Sequence, residues 1–330
     1  MDGKQIQVPL PRRYRFHFVL EDPVRLPSYT GSTWRGLMGH GLRRVACVTG
    51  QKQCGGCRLL DSCIYSTLFE SQSSQADAGR HRVRPHPYVL EPELSPSRQM
   101  EQGERLQLGI TLVGKAERAL PYLVEGFRQG GRLGLGRQNS RFRLDGLYQE
   151  SRLGSEDWRP ILDASLEHLL PLEVPCPTPP RQPAKLRVEL LTPLRMKRHG
   201  RLVTPRTFEA ADFLRQLWRR VHEMSHFHAG SETDLTLALP GEKPDHIKVS
   251  QKRLQWLDWT RYSSRQGCRM QMGGLSGSWT IDADAIEPWW PLLWYGQWLH
   301  LGKATSMGLG HYRLHSDDKL ADTEIKASPL

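Results

Sequence analysis

A histidine on a predicted helix near the N-terminus is the residue best placed for acid–base chemistry. The helix is expected from about Ser32 to Cys47, where apolar residues recur every three or four positions and Ser32 or Thr33 can cap the first turn. Gly36, His40 and Arg43 follow at spacings of four and three, so they share the face opposite the apolar stripe. An imidazole takes up and releases protons near neutral pH, so His40 is a candidate general acid or base. Gly36 weakens a helix by roughly 1 kcal/mol relative to Ala, which suggests that another chain approaches closely there.

Four cysteines follow this helix closely enough to predict a metal site. Cys47, Cys54, Cys57 and Cys63 give the pattern C-x6-C-x2-C-x5-C, and the other two cysteines stand far apart. Clustered thiols in a chain without a secretory signal favour a metal over disulfides. A structural zinc with four cysteine ligands fits the pattern, and so does a [4Fe-4S] cluster; unliganded buried thiols are the third alternative. Four protein ligands leave no open position, so the metal would not be catalytic.

Basic residues concentrate in a C-terminal glycine-rich loop, a predicted hairpin and one face of a predicted helix. In the loop GKATSMGLG the glycines permit close backbone approach to a phosphate, and Lys303 supplies positive charge. An earlier glycine loop carries a basic residue as well. The residues expected to contact a polyanion are Arg137, Arg195, Lys197, Arg198, Arg201, Arg215, Arg219, Gly302, Lys303, Gly308 and Gly310.

The chain repeats one sequence pattern after roughly 170 residues. PYLVEGFRQGGRLGLGRQNSRFRL begins at Pro121 and PLLWYGQWLHLGKATSMGLGHYRL begins at Pro291. Each copy contains an apolar helix, a glycine-rich turn and a strand with a basic residue. A repeat of this length exceeds a solenoid unit and indicates two related domains.

Around each copy, the predicted elements follow the order β-α-β-β-α-β of a ferredoxin-like domain. Strands are predicted over 14–20, 88–94, 105–113, 185–191 and 274–281, and a long helix over 208–228 with Trp218 on its apolar side. The predicted fold class is therefore α+β, with two tandem ferredoxin-like domains and a C-terminal Gly-rich loop. The expected boundaries are 1–172 for the first domain with a Cys-rich insertion at 47–63, 173–184 for a proline-rich linker, 185–316 for the second domain, and 317–330 for a flexible tail.

Composition narrows the class of partner. The chain has 330 residues and a formal net charge of +11, with a sequence pI near 9.5. Arg-rich basic chains favour nucleic acid, and tandem ferredoxin-like domains are typical platforms for single-stranded RNA. The longest apolar stretch, Trp289–Leu301, is too short to span a bilayer, and the first residues show no secretory hydrophobic region. A cytoplasmic protein without membrane association is expected.

Three segments, taken in their order and spacing, resemble the CRISPR-associated RAMP endoribonucleases that cut precursor CRISPR RNA into guide RNAs. They are LPSYTGSTWRGLMGHGLRRVAC with the cysteines and LFE after it, TPLRMKRHGRLVTPRTFEAADFLRQLWRR, and GKATSMGLGHYRL. The resemblance extends over nearly the whole chain. It implies that CRISPR repeat RNA is the partner and that the guide RNA passes to subunits of an interference complex.

The resemblance also implies a mechanism that needs no metal or other cofactor for catalysis. The RNA 2′-hydroxyl would attack its neighbouring phosphate, leaving a 2′,3′-cyclic phosphate and a 5′-hydroxyl. His40 would remove the 2′ proton or protonate the leaving oxygen. Arg43, Arg44 and Lys303 are candidates to stabilise the negative charge, and Tyr29 would orient a reacting hydroxyl. Many members pair His with Tyr and Lys; this helix has no Lys, so Arg would take that role.

Two other functions fit the same sequence. A RAMP subunit that holds guide RNA without cutting it needs the same fold and charge. A nucleic-acid-binding regulator would use the cysteines to hold a structural metal that stabilises its fold. A gene adjacent to a repeat array would favour the first two functions over the third.

Overall fold

The structure, a computed structural model, describes residues 4–70, 84–163, 168–230, 234–263 and 268–316. The flexible tail expected at 317–330 lies outside the described residues. The described residues divide into an N-terminal unit, 9–177 with 227–234, and a C-terminal unit that contains the rest. The boundary after residue 177 falls inside the proline-rich segment predicted as the linker.

Secondary-structure elements are numbered here along the whole chain. The first half contains β1 (Gln5–Val8), β2 (Pro11–Leu20), β3 (Val24–Leu26), α1 (Gly31–Ala46), β4 (Tyr88–Pro92), β5 (Arg98–Met100), β6 (Arg105–Val113), α2 (Leu120–Leu133), β7 (Phe142–Glu150) and β8 (Trp158–Leu162). The second half contains β9 (Lys185–Leu194), β10 (Lys197–Arg198), β11 (Arg201–Leu202), α3 (Ala210–His228), β12 (Leu235–Ala238), β13 (Ser250–Leu257), β14 (Thr260–Ser263), β15 (Cys268–Gln271), β16 (Gly274–Asp282), α4 (Ala283–Ile286), α5 (Trp290–Gly296) and β17 (Tyr312–Ser316).

The N-terminal unit is built on an antiparallel sheet in the order β4-β6-β2-β7-β8. The first four of these strands have the ferredoxin-like arrangement, and β8 extends the sheet at one edge. Side chains alternate between the two faces of a strand, so Phe16 and Phe18 of β2 point to the same side. Phe18 stacks on Trp34 of α1 at 5.1 Å between ring centroids, and Phe16 lies 4.9 Å from Phe127 of α2. This aromatic core fixes α1, and with it the position of His40.

The C-terminal unit repeats the arrangement with the sheet β13-β16-β9-β17. Trp279 of β16 is fully buried, with Phe208 and Phe213 at 4.6 and 5.1 Å between ring centroids. The two tandem ferredoxin-like domains predicted from the sequence are confirmed. The boundary differs at the N-terminus, because β1 pairs antiparallel with β12 and so residues 5–8 belong to the C-terminal unit.

Two details of the helices differ from the predictions. Neither Ser32 nor Thr33 caps α1: the N-cap position is Thr30, and it makes no side-chain capping hydrogen bond. Trp218 of α3 was assigned to the apolar side, but 41% of its surface is exposed, because it lies at the margin of the buried stripe. No helix among the described ranges is long and apolar enough to cross a membrane.

Glycines let α1 pack closely on α2. A Cβ at Gly41 would lie 2.0 Å from the carbonyl oxygen of Gly126 in α2, so neither helix could approach its partner with a larger residue there. Gly36 of the same helix is different: a Cβ at this position would meet nothing within 4 Å. The packing of the unit therefore explains Gly41 but gives no reason for Gly36.

A matched pair of substitutions tests this reading. Gly41→Ala should lower the free energy of unfolding by about 1–3 kcal/mol, the range for overpacking, because the backbone of α2 must move. Gly36→Ala should raise it by up to about 1 kcal/mol, since Ala favours a helix and meets no neighbour. Urea unfolding monitored by circular dichroism measures both. Equal effects from the two substitutions would contradict the close crossing of α1 and α2.

Candidate functional site

His40 lies on the solvent-exposed side of α1, as its spacing predicted. Gly36, one turn earlier, leaves an open strip next to the imidazole because no atom would contact a Cβ there. Arg44, one turn later, is also exposed and forms no ion pair with any residue that the structure describes. The helix therefore presents an acid–base group, a cation and empty space along one side.

The other two residues assigned to catalysis are placed less favourably. Arg43 donates a hydrogen bond to the carbonyl of Gln51, and its guanidinium lies 5.6 Å from the ring centroid of Tyr65. It is thus directed at the loop that follows α1. Tyr29 is only 8% exposed, and burial raises the pKa of its phenol. A direct contact between Tyr29 and a substrate would require a movement of the chain around it.

The predicted metal site is wrong. Among the residues that the structure describes, no group of three or more His, Cys, Asp or Glu side chains is placed to hold a metal ion. Cys47 and Cys57 are separated by Thr49, whose hydroxyl lies 3.9 and 3.8 Å from their sulfurs. Cys54 and Cys63 instead pack against the hydrophobic core, and burial raises the pKa of the Cys54 thiol. All four are free thiols around one cavity, and neither zinc nor an iron–sulfur cluster is supported.

The C-terminal glycine loop has a structural role in its own unit. Gly302, Gly308 and Gly310 all have positive φ, and a Cβ at Gly310 would lie 1.8 Å from the carbonyl oxygen of Leu301. The amides of Gly308 and Gly310 donate to the carbonyls of Thr305 and Pro193. Those two N–H groups are therefore not directed at a phosphate. Lys303 is exposed at the start of the loop, so its side chain is the part best placed to contact RNA.

The basic hairpin β10–β11 lies beside this loop. The amide of Lys303 donates to the carbonyl of Arg195 at 2.8 Å, two residues before Lys197. Lys197 and Arg201 are exposed and form no ion pair within the described part of the chain. Arg198 differs, because its guanidinium contacts Glu209 at 2.7 Å and Asp212 at 3.1 Å. Lys197, Arg201 and Lys303 are therefore cations that remain available to a ligand here.

The predicted basic face of α3 is partly neutralised. Arg215 is paired with Asp212 and Asp245, and Arg219 lies 3.8 Å from Glu223. The aromatic rings of Trp218 and His222 stack with 3.6 Å between their centroids. This pair was not recognised from the sequence, although its i, i+4 spacing allows such a contact in a helix. Arg137 is exposed in the first glycine loop, in the other unit.

Comparisons with known proteins agree with the fold. Residues 10–173 match a family model described as AF_1859_N, N-terminal domain, and residues 188–312 match the model of the CRISPR-associated endoribonuclease Cas6. An uncharacterized protein of Archaeoglobus fulgidus is 26% identical over 176 residues, which are 52% of this chain and 57% of that protein. The chain thus matches little more than half the length of this curated relative.

Several solved structures have a TM-score of 0.52 to this chain. The Cas6 (TTHB231) product complex is 17% identical and aligns over 93% of this chain and 99% of its own. A chain of the partial Cas6-RT-Cas1–Cas2 complex is 11% identical and aligns over 94% of this chain and 47% of its own. At these identities the likeness concerns the fold.

The tandem ferredoxin-like units with their glycine loops are the architecture that the resemblance noted in the sequence implied, and that resemblance is confirmed. More particularly, residues 188–312 match the model of the CRISPR-associated endoribonuclease Cas6.

Proposed function

We propose that the protein is an endoribonuclease that binds CRISPR repeat RNA and cuts precursor CRISPR RNA into guide units. The observation that carries this proposal is His40, exposed on α1 beside the open strip at Gly36. A histidine in that position can reach a phosphodiester of a bound strand without any rearrangement of the core. The match of residues 188–312 to the Cas6 family supports RNA as the substrate.

The chemistry we propose uses the RNA's own 2′-hydroxyl as the nucleophile. The 2′ oxygen attacks the adjacent phosphorus, the bond to the 5′ oxygen breaks, and a 2′,3′-cyclic phosphate and a 5′-hydroxyl result. His40 either takes the 2′ proton or gives a proton to the leaving oxygen. Arg44 is the exposed cation nearest to it along α1, one turn away, and would stabilise the negative charge on the phosphorane. The reaction as written needs no metal ion.

Binding would rest on the C-terminal unit as well. Lys197, Arg201 and Lys303 offer positive charge, and none of them forms an ion pair among the described residues, since the nearby carboxylates of Glu209 and Asp212 are held by Arg198. We propose CRISPR repeat RNA as its ligand, and subunits of a CRISPR complex as further partners. Solved neighbours are named as a Cas6 product complex and a Cas6-RT-Cas1–Cas2 complex, which supports both partner classes.

A second candidate is a RAMP subunit that holds guide RNA without cutting it. The structural placement of Tyr29 and Arg43 favours it, since neither is freely presented beside His40. Incubating labelled repeat RNA with the protein in EDTA decides between the two. The nuclease gives two bands and a product with a 2′,3′-cyclic phosphate by mass spectrometry. Tight binding with no cleavage under any condition would establish the guide-holding role.

The salt dependence of RNA binding should identify the cations that contact phosphate. Lys303→Ala and Arg201→Ala should each weaken binding and reduce the slope of log K against log salt by up to about 0.7, the value for one phosphate of a single strand. Arg198→Ala should change the slope less, because Glu209 and Asp212 already hold this guanidinium. Filter binding at several salt concentrations measures all three. An unchanged slope in both Lys303→Ala and Arg201→Ala would mean that the hairpin and loop do not touch the RNA.

A further inference from the structure

A mostly apolar cavity of about 220 Å³ opens at the C-terminal end of α1, within the N-terminal unit. Its walls come from the last residue of α1, the loop after it, the segment around Tyr65, and Tyr122 of α2. Clefts of this kind, with a few polar groups among apolar walls, are where proteins bind small or planar ligands. Neither the core of the unit nor the placement of His40 requires it.

The lining of the cavity suits a flat ligand with polar edges. Tyr122 supplies an aromatic ring that is 40% exposed. Tyr65 is 5% exposed and its ring stacks on Phe69 at 5.4 Å between centroids, so it forms part of the wall and offers no open ring face. Val48 and Leu59 also line the cavity and are 82% and 40% exposed, which is unusual for large apolar side chains. Thr49 contributes a hydroxyl, and glutamine amides in the same loop add donors and acceptors. Aromatic faces with hydrogen-bonding edges are the features by which proteins hold unstacked bases.

The charge around the cavity selects a polyanion over an apolar peptide. Lys52 is exposed between two residues that line the cavity, and Arg58 is exposed between two others. Arg43 extends over Tyr65 from the end of α1. Two carboxylates oppose these three cations, Asp61 in the loop and Glu70, which accepts a hydrogen bond from Tyr65 at 3.1 Å, so the surroundings carry a net positive charge. A nucleic acid would therefore bring its bases to an apolar cavity and its phosphates to a cationic rim.

The cavity also lies within a short distance of His40 along α1. Ala46 lines the cavity and follows His40 by six residues on the same helix, a rise of about 9 Å. Arg43 lies between them on α1. A single strand whose phosphate is beside His40 reaches the cavity with its neighbouring nucleotides.

We propose that this cavity binds one unstacked nucleobase of the RNA, adjacent to the phosphate on which His40 acts. The proposal rests on the proposed function for the direction of the strand, but the binding of a base can be measured without any cleavage. It makes the loop after α1 a determinant of where the strand is held.

Filling the cavity provides the test. Thr49 is an exposed lining residue, so Thr49→Trp places an indole in the cavity without disturbing the core. Leu94→Trp is the control, because Leu94 is 43% exposed and does not line the cavity. The probes are short single-stranded RNA oligonucleotides and abasic oligomers of the same length and charge, so that the ratio of their dissociation constants reports base contacts alone.

The parent and Leu94→Trp should prefer the base-bearing RNA by the same ratio, and Thr49→Trp should lower that ratio by roughly 5- to 150-fold, the effect of one stacked base. RNA carrying 4-thiouridine should cross-link to the peptide that spans residues 47–66. Thermal unfolding confirms that each variant is folded; if Thr49→Trp is not, Leu59→Trp replaces it, and the cross-link is measured on the parent in any case.

An unchanged ratio in the filled variant, together with cross-links outside residues 47–66, would overturn the proposal. The proposed endonuclease function would be unaffected by that result, provided that the parent still cuts repeat RNA. Conversely, a protein that binds a base in the cavity and never cuts would retain this proposal and refute the proposed catalysis.

Discussion

His40→Ala is expected to cut repeat RNA at least about 10²-fold more slowly than the parent, with nearly unchanged affinity. Loss of a general acid or base typically costs a factor of 10²–10⁴ in rate. Affinity should persist because the cations proposed to hold the RNA, such as Lys303 and Arg201, are on other elements. Single-turnover cleavage at saturating protein separates the chemical step from binding, and filter binding gives the affinity.

Two further measurements identify the chemistry behind that loss. Cleavage by the parent should survive EDTA, and one 2′-deoxy substitution at the cut site should abolish it, because the nucleophile is then missing. His222→Ala is the matched control, since His222 is a partly exposed histidine on α3 whose ring is already stacked on Trp218. Normal cleavage by His40→Ala combined with loss in His222→Ala would move the active site to the C-terminal unit.

Gly36 allows the same active site to be tested without damage to the fold, because a Cβ at this position meets nothing within 4 Å. Gly36→Ala should stabilise the folded protein and yet slow cleavage if RNA occupies the strip beside His40. A stabilising substitution that impairs activity cannot be explained by damage to the fold. Unimpaired cleavage in Gly36→Ala would show that the strand does not pass on this side of α1.

The sequence predicted the architecture because both units depend on patterns with a fixed period. The alternation in β2 puts Phe16 and Phe18 in the core, and the 3.6-residue period of α1 puts His40 on the outside. Those features are local. The repeated segment of helix, glycine-rich turn and strand then indicated that the same fold occurs twice. The same local rule failed for Trp218, because a residue at the margin of an apolar stripe is buried only if another element covers it.

The cysteine pattern could not be interpreted from spacing alone. Four thiols within a short segment are compatible with one metal ion, but convergence depends on the path of the loop. In the structure Thr49 stands between two sulfurs, and the core takes up the other two. Arg198 shows the same limitation for charge, since its carboxylate partners lie just before α3 and in the first turn of that helix, and no sequence motif identifies them.

The most consequential feature hidden from the sequence is a buried arginine in β2. Arg13 is 6% exposed and contacts Glu91, Glu150 and Glu156, each at 3.0 Å. Glu150 is itself only 1% exposed at the side chain, and it lies 137 residues away along the chain. The alternating basic residues of β2 suggest a solvated or RNA-binding face, whereas the structure uses Arg13 to join three strands and a loop of the N-terminal unit.

Arg13→Met is therefore expected to lower the free energy of unfolding of the N-terminal unit by about 3–5 kcal/mol. Removing one partner of a buried ion pair leaves the remaining charge without compensation in a poorly solvated place. Arg159→Met is the matched control, because Arg159 pairs with Asp157 at 3.2 Å with both side chains largely exposed. Its loss should lower stability far less, because solvent already screens this exposed pair. Urea unfolding of both variants against the parent gives the comparison.

The pH dependence of stability distinguishes an electrostatic loss from a packing defect. Burial alone would raise the pKa of Glu156, but the Arg13 guanidinium, the Trp158 N–H and Arg15 together outweigh it, and the net pKa lies below the ordinary value of 4.5. A carboxyl group whose pKa is lower in the folded than in the unfolded protein stabilises the fold at a pH above the unfolded pKa. This contribution disappears as the pH falls through the folded pKa. The parent should therefore lose stability in acid below about pH 4.5.

In Arg13→Met that acid loss should be smaller, because Glu156 then keeps only Arg15, at 2.7 Å, as a cationic partner and its pKa is depressed less. The difference in the free energy of unfolding between parent and variant should accordingly become smaller as the pH is lowered. Met conserves much of the aliphatic volume of Arg, so a pure packing defect would leave that difference independent of pH. A parallel loss of stability in both proteins across the acid range would refute the ion network as the source of the effect. If Arg13→Met destabilised the protein no more than Arg159→Met does, the ion network would not be important for the fold.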